Sequence, residues 1–461
     1  MYLLRTKSYA QKMIKMSTLT DYVLGIDLGS SRLTGSLGRR SPDGHTTLLS
    51  IISQPIDSEI RRGVIHNVEE IAKDIQQLTQ KLLQRESATI KAIKVYVNLN
   101  AYSLRTIDAK SSFVFSEEEI LEESMLEELR LDALTQIDEK FETLDVYDQE
   151  YMADGKVDLR PVGALAKVIE GRYRVAVVRK ELLRSLDACF KRLDVDYERI
   201  LGPSAAAAAA LTEEEKMRGV VLLDFGAQTT SISVYKSGIL RHMAVLPFGG
   251  NSITRDLTQL NKDWSDLEAY KLEKGTAKHY TEWAQDESRR EEFARLEDFD
   301  KTANEIVVAR MEEIIDNILA QITYSGIDVA KLAEGIVMVG AASDLKDLSG
   351  LLEKKITLTV RQPNLRQHFY KIENGLELNA SDAVAAGLLL LASPDCCEVV
   401  EKTIPDRTKL DQEPLISGFE TVDTKFVEPA KKEKPTEPAQ KPRKKSSLFG
   451  GWARLFDDED L

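Results

Sequence analysis

Two short runs in this 461-residue chain end an apolar strand pattern on an aspartate, then follow it with glycine and hydroxyl residues. The first holds Asp27, Gly29, Ser30 and Ser31; the second holds Asp224, Gly226, Thr229 and Thr230. Glycine lets a backbone approach a ligand closely, and the following residues add hydroxyls and N–H donors, which together make a phosphate cradle. A carboxylate beside a phosphate repels it unless a cation lies between. Asp27 and Asp224 therefore imply a hydrated Mg²⁺, an ion that usually keeps several waters. Taken singly, Asp-x-Gly also describes a strand entering a tight turn. Two copies at equivalent points of a repeat carry more weight.

The elements that must position these residues follow from the hydrophobic pattern. Strands are expected at Tyr22–Asp27, Arg32–Leu37 and Leu48–Ser53, with a turn at Ser41–Gly44, and a helix from Val68 to Gln84 carries Val68, Ile71, Ile75, Leu78 and Leu82 on one face. The pattern restarts near Ile90: Ile93–Val97 is strand-like, Ser116–Thr143 is acidic and reads as helical, Val157–Ile169 and Tyr173–Val178 read as strands, and Glu181–Leu193 reads as a helix. This stretch is the size of a small inserted α/β unit. Val220–Asp224 opens a second copy of the first theme, continuing to Tyr235, with a turn at Lys236–Gly238 and a strand at Ile239–Leu246. Residues 250–325 are charged and largely helical, Gly335–Gly340 is a buried strand, and Asp382–Leu391 is an apolar closing helix. Two related halves, each a mixed sheet with helices, predict an α/β molecule with a cleft at the carboxyl ends of its strands.

Composition limits the function classes. A formal net charge of −14 argues against a nucleic-acid binder, which needs a basic surface. Cys189, Cys396 and Cys397 form no CxxC pair and have no histidine at zinc spacing, so reduced thiols of a cytosolic protein are expected. No run of eighteen apolar residues is present. Residues 1–19 are basic without a long apolar stretch, and are read as an extension, with Met16 an alternative start. Residues 398–445 carry six prolines among Lys and Glu and read as a disordered linker. In 446–461, Leu448, Phe449, Trp452, Leu455 and Phe456 form one helical stripe behind Lys441, Arg443, Lys444 and Lys445. That pattern suits anionic lipid at a membrane interface, or else a groove in a partner protein. Gly450, Gly451 and the acidic stretch Asp457–Asp460 work against the lipid reading.

The run GIDLGSS (Gly25–Ser31) resembles the first phosphate motif of the actin/Hsp70/sugar-kinase superfamily, LDFGAQTT (Leu223–Thr230) the second, and GIVMVGAAS (Gly335–Ser343) the adenosine motif. Within that superfamily the chain resembles the bacterial actin-like cell-division protein FtsA, through Gly238–Asp256, Asp266–Lys271 with Gly275, Arg61–Glu69 and Arg160–Gly163. The resemblance covers about residues 20–395 and the tail. It implies an actin-like, RNase H-like duplicated fold of two lobes with an FtsA-type inserted subdomain. Its segments would be 20–89 and 169–199 (subdomain 1A), 90–168 (inserted subdomain 1C), 200–250 and 326–380 (2A), 251–325 (2B) and 381–397 (closing helix of 1A).

The resemblance implies ATP and Mg²⁺ as cofactors, with Asp27 and Asp224 acting on the metal through water. Gly29, Ser30, Ser31, Arg32, Gly226, Thr229, Thr230, Gly340 and Ala341 would line the nucleotide. Gly249 and Gly250 would let backbone approach it, and Glu268 with Lys271 would flank the adenosine. It further implies the division GTPase FtsZ, other divisome proteins through the inserted subdomain, copies of the chain itself and anionic lipids as partners. The location would be peripheral, on the cytoplasmic face of the inner membrane at the division site. Ala227, Gln228 and Ser231 stand where the second motif usually has two glycines and an acid, Ala341 replaces a glycine, and Arg32 stands where Lys is commoner. Each added side chain narrows the site, and no residue stands out as a general base, so binding with slow or negligible hydrolysis is expected. The rivals are a sugar kinase, which needs a catalytic Asp and has no use for an anchor, and a chaperone-like or pilus-assembly relative.

Overall fold

A computed structural model describes residues 20–84, 90–285, 287, 289–373 and 375–399. All lie within one compact unit, residues 1–402. The expected extension 1–19, nearly all of the linker and the whole of 446–461 fall outside the described residues.

Two mixed sheets organise the unit. In spatial order the first holds strands Asp196–Leu201, Lys94–Leu99, Tyr22–Leu28, Arg32–Arg40, Thr46–Pro55 and Lys371–Ile372. The second runs Lys156–Asp158, Phe141–Ala153, Leu165–Arg179, Arg105–Ile120, Ile239–Leu246, Thr230–Lys236, Val220–Phe225, Ile336–Val339 and Val360–Arg361. The repeat is visible in the pairing. Tyr22–Leu28 is antiparallel to the strand after it and parallel to Lys94–Leu99, with Asp27 opposite Thr34. Val220–Phe225 is likewise antiparallel to its successor and parallel to Ile336–Val339, with Asp224 opposite Ser231. Both aspartates therefore occupy the same register of the same hairpin, at the carboxyl end of a buried central strand.

The helix Val68–Leu83 forms as its periodicity predicts. Asn67 caps it by accepting the Glu70 N–H, and Ile71, Ala72, Ile75, Leu78 and Leu82 are buried. The apolar helix Ala383–Leu391 packs on the alanine-rich helix Gly202–Ala210, which also touches strands of both sheets. Around these lie two apolar cores, one on each sheet, and a third under the inserted segment.

The inserted segment differs from expectation. The acidic stretch 116–143 is not one helix: residues to Ile120 continue a 16-residue strand, Glu123–Leu134 is helical, and a new strand starts at Phe141. Ile120 pairs with Leu165 and Glu119 with Ala166, and Glu117 and Glu118 continue the same strand through a register shift, extended and exposed despite their helical preference. Leu165–Arg179 is one strand, so the break expected between 168 and 169 falls inside it. Lys94–Leu99 belongs to the first sheet, so the inserted strands begin at Arg105, not at residue 90. The linker expected from 398 is preceded by a short strand, Cys397–Val399, paired with Ile90–Ala92.

Candidate functional site

The two aspartate-ended strands converge on a cavity of about 70 Å³. The first loop contributes Asp27, Gly29, Ser30, Ser31 and Arg32; the second contributes Asp224, Gly226, Ala227 and Thr229; Gly340 and Ala341 close one side. The cavity also draws on Gly63, Asn98, Asn100, Ala380 and Ser381, which the sequence reading did not single out. The asparagines had a faint signal, as polar residues at the end of the apolar run Val95–Leu99.

Burial raises Asp27, with Asp224 adding to the shift and Arg32 opposing it, so its carboxyl titrates at about 7. Asp224 is raised to about 6 by burial, again opposed by Arg32. Asn98 fixes Asp27: its Nδ2 donates to Asp27 Oδ1 at 2.6 Å while its Oδ1 accepts the Leu28 N–H at 2.6 Å. Arg32 donates to the Ser381 carbonyl at 2.9 Å and so stays in the cavity wall. Asn100 Oδ1 is buried with no hydrogen-bond partner. Such an acceptor is costly unless a donor or a cation reaches it.

Gly340 follows the strand that pairs beside Asp224 and packs against it. Its φ is +87°, and an added Cβ would lie 2.4 Å from the Phe225 carbonyl oxygen and 2.5 Å from Asp224 Oδ1. Gly249 and Gly250 do not line the cavity. Instead Gly250 N donates to Gly226 O at 3.0 Å and Asn251 N to Ala227 O at 2.7 Å, so this helix start clamps the second loop from behind. Thr230 also points away, its hydroxyl donating to the Phe248 carbonyl at 2.9 Å.

Glu268 and Lys271 likewise lie outside the cavity lining. Lys271 is buried, and its ammonium donates to both Glu268 oxygens at 2.8 and 2.7 Å, to Thr254 Oγ1 at 3.0 Å and to the Gly250 carbonyl at 3.2 Å. Burial lowers the Lys271 pKa, opposed by Glu268. The pair ties the Trp264–Lys274 helix to the clamp helix Gly250–Leu257 and has no free donor aimed at a ligand in this arrangement.

The residues fit a cation and a phosphate chain. Two carboxylates held near neutrality, an unpaired amide oxygen and a guanidinium meet in one cavity, beside two hydroxyl-bearing loops. Among the described residues no three His, Cys, Asp or Glu side chains converge. A cation here would rest on two carboxylates and water, as suits Mg²⁺. About 70 Å³ holds little more than a few waters or a terminal phosphate, whereas ligand pockets usually run ~300–1,000 Å³. A whole nucleotide would need a wider cleft.

The duplicated Asp-loop hairpins facing one cleft make this an actin-like fold. A solved structure titled PilM-PilN type IV pilus biogenesis complex shares this fold, with a TM-score of 0.57 over 80% of this chain and 97% of that one, at 17% identity. Within that class of fold the chain is similar to proteins named FtsA. The family model described as "Cell division protein FtsA" matches residues 221–381. The protein of that name from Porphyromonas gingivalis (strain ATCC BAA-308 / W83) is 25% identical over 428 residues, covering 90% of this chain and 87% of its own length. That from Neisseria meningitidis serogroup B (strain ATCC BAA-335 / MC58) is 25% identical over 74% of this chain and 83% of its own, and that from Escherichia coli (strain K12) is 24% identical over 55% and 61%.

Proposed function

We propose that this chain is a nucleotide-dependent cell-division adaptor. It binds ATP with Mg²⁺, assembles with copies of itself and tethers the division GTPase FtsZ to the cytoplasmic face of the inner membrane. The observation that carries the nucleotide reading is the convergence of Asp27 and Asp224, in identical register of two repeated hairpins, on one cavity with Arg32 and the two glycine-hydroxyl loops.

Each residue has a definable task. Asp27 and Asp224 would hold the hydrated cation, Arg32 would pair with phosphate oxygens, and backbone and hydroxyl donors of Ser30, Ser31 and Thr229 would complete the cradle. Mg²⁺ would supply the charge that lets these carboxylates stand beside phosphates. Glu268 and Lys271 would reach adenosine only after exchanging their present partners. The lining contains no histidine, and its carboxylates are the two that face the cation, which supports an assembly ligand more than a fuel.

Membrane attachment rests on the sequence stripe Leu448, Phe449, Trp452, Leu455 and Phe456 with its basic flank. Among the described residues no helix is long and apolar enough to cross a membrane. One short helix binds lipid marginally, so self-assembly would add avidity. The inserted segment, with exposed Val114, Ile120, Leu165 and Val168, is the proposed face for other division proteins. Co-sedimentation of full-length and 446–461-deleted protein with anionic vesicles and FtsZ tests the adaptor reading. FtsZ should pellet with vesicles only when the full chain is present; recruitment by the truncated chain would overturn it.

A further inference from the structure

Gln228 sits at the tip of the second loop, in a turn closed by the Gly226 N–H donating to the Thr229 carbonyl at 2.9 Å. Its side-chain oxygen crosses the cleft and accepts the backbone N–H of Arg62 at 3.1 Å. Arg62 and Gly63 form the two-residue turn of a hairpin between Ile60–Arg61 and Val64–Ile65. Both have left-handed backbone, with φ of 50° and 76°. Glycine adopts this readily, whereas an arginine there is strained, and such strain persists only where surroundings enforce it. The surroundings are visible. The Arg62 carbonyl accepts the Tyr102 N–H at 3.1 Å, and a Cβ on Gly63 would lie 2.1 Å from the Asn100 carbonyl oxygen. The hairpin is thus fixed to the half that carries Asp27, while Gln228 belongs to the half that carries Asp224. Gly63 itself lines the cavity.

We propose that Gln228 is a clasp residue that holds the two halves of the cleft together and governs nucleotide entry. This rests on the nucleotide reading of the same cavity. The cleft holds about 70 Å³ in the clasped state, so a nucleotide enters when the Arg62–Gln228 bond opens. A phosphate oxygen arriving in the cavity offers Arg62 N–H an alternative acceptor and would favour release of the clasp. The residue that makes the bond is one of the side chains that replace a glycine of the resembled motif, so a glycine-bearing loop would have no such clasp.

The test uses the full-length protein with Gln228→Ala, which removes the acceptor, and Gln228→Glu, which keeps one. Without nucleotide, hydrogen exchange of the peptide spanning residues 60–66 should quicken roughly 2- to 10-fold in Q228A, the range for one net hydrogen bond, and stay near wild type in Q228E. With Mg²⁺ and a fluorescent N-methylanthraniloyl-ATP probe, stopped-flow association should quicken by a similar factor in Q228A. Unchanged exchange in Q228A overturns the clasp, as does faster exchange with unchanged probe association. Faster exchange in Q228A with no probe binding to any variant keeps the closure and overturns the nucleotide reading instead.

Discussion

Replacing Gly340 by alanine should cost far more than replacing Gly44, although both glycines have similar left-handed φ, +87° and +82°. An alanine in that region costs about 1–2 kcal/mol at either site. The two differ in space. Nothing lies within 4 Å of a Cβ at Gly44, whereas at Gly340 it meets Phe225 O at 2.4 Å and Asp224 Oδ1 at 2.5 Å. One obstacle is backbone, which cannot turn aside, and the other is the buried Asp224 carboxylate. Overpacking of this kind adds about 1–3 kcal/mol. At about 2.1 cal/mol/K per residue, a folded body this large shifts its Tm by roughly 1–1.5 °C per kcal/mol. Differential scanning fluorimetry should therefore show a loss of about 1–3 °C for G44A and about 2–7 °C for G340A. Displacement of Asp224 should also weaken Mg²⁺-dependent nucleotide binding in G340A alone. Equal Tm losses in the two variants, with binding intact in both, would refute the reasoning that Gly340 is required for the close approach to Asp224.

Other perturbations have definite signs. Because the Asp27 carboxyl is raised from 3.8 to about 7 in the folded protein, the native state holds a proton across that window that the unfolded chain has released. The nucleotide-free protein should lose stability as pH rises from about 4 to 7 and level off above, and Asp27→Asn should flatten that slope in denaturant titrations at several pH values. Cation binding competes with the same proton, so Mg²⁺-dependent nucleotide affinity should rise between pH 6 and 8; a flat profile would contradict the assignment. Lys271→Met strands the Glu268 carboxylate and should destabilise by about 1–3 kcal/mol, discounted from the usual cost of breaking a buried pair because Glu268 is partly exposed. Chemical denaturation that shows no loss would show that the pair does not hold the clamp helix. Trp452→Glu should reduce vesicle co-sedimentation at least tenfold without changing Tm; unaltered pelleting would remove the apolar stripe as the anchor.

Much of the architecture could be read from residue order because the repeat writes the same pattern twice. Apolar strand, Asp, Gly and hydroxyl residues at Asp27 and Asp224 foretold two hairpins, and the structure sets both aspartates opposite their seventh following residue. The helix Val68–Leu83 was legible because burial of one face leaves a 3.6-residue period. The inserted segment was harder. Glu117–Glu119 look helical by propensity, but the strand they continue pairs at Glu119 and Ile120 with the distant Ala166 and Leu165, and no local pattern encodes that pairing. Glycines were ambiguous for a related reason. A glycine that admits a phosphate and one that admits another backbone look identical, and Gly249 proved to lie against Gly226 and Ala227. Glu268 and Lys271 were placed near the site by resemblance, yet their hydrogen bonds close on each other and on Thr254. Asn100 and Gln228 act through contacts between segments far apart in sequence, which spacing does not reveal.

Calorimetric titration of the full-length protein with ATP, with and without Mg²⁺, beside Asp27→Asn and Asp224→Asn, decides whether the cavity is a nucleotide site. Saturable binding of one ATP per chain that needs Mg²⁺ and weakens at least tenfold in each variant is the expected result. Absence of binding to the wild-type chain, or binding that both variants retain unchanged, would contradict it.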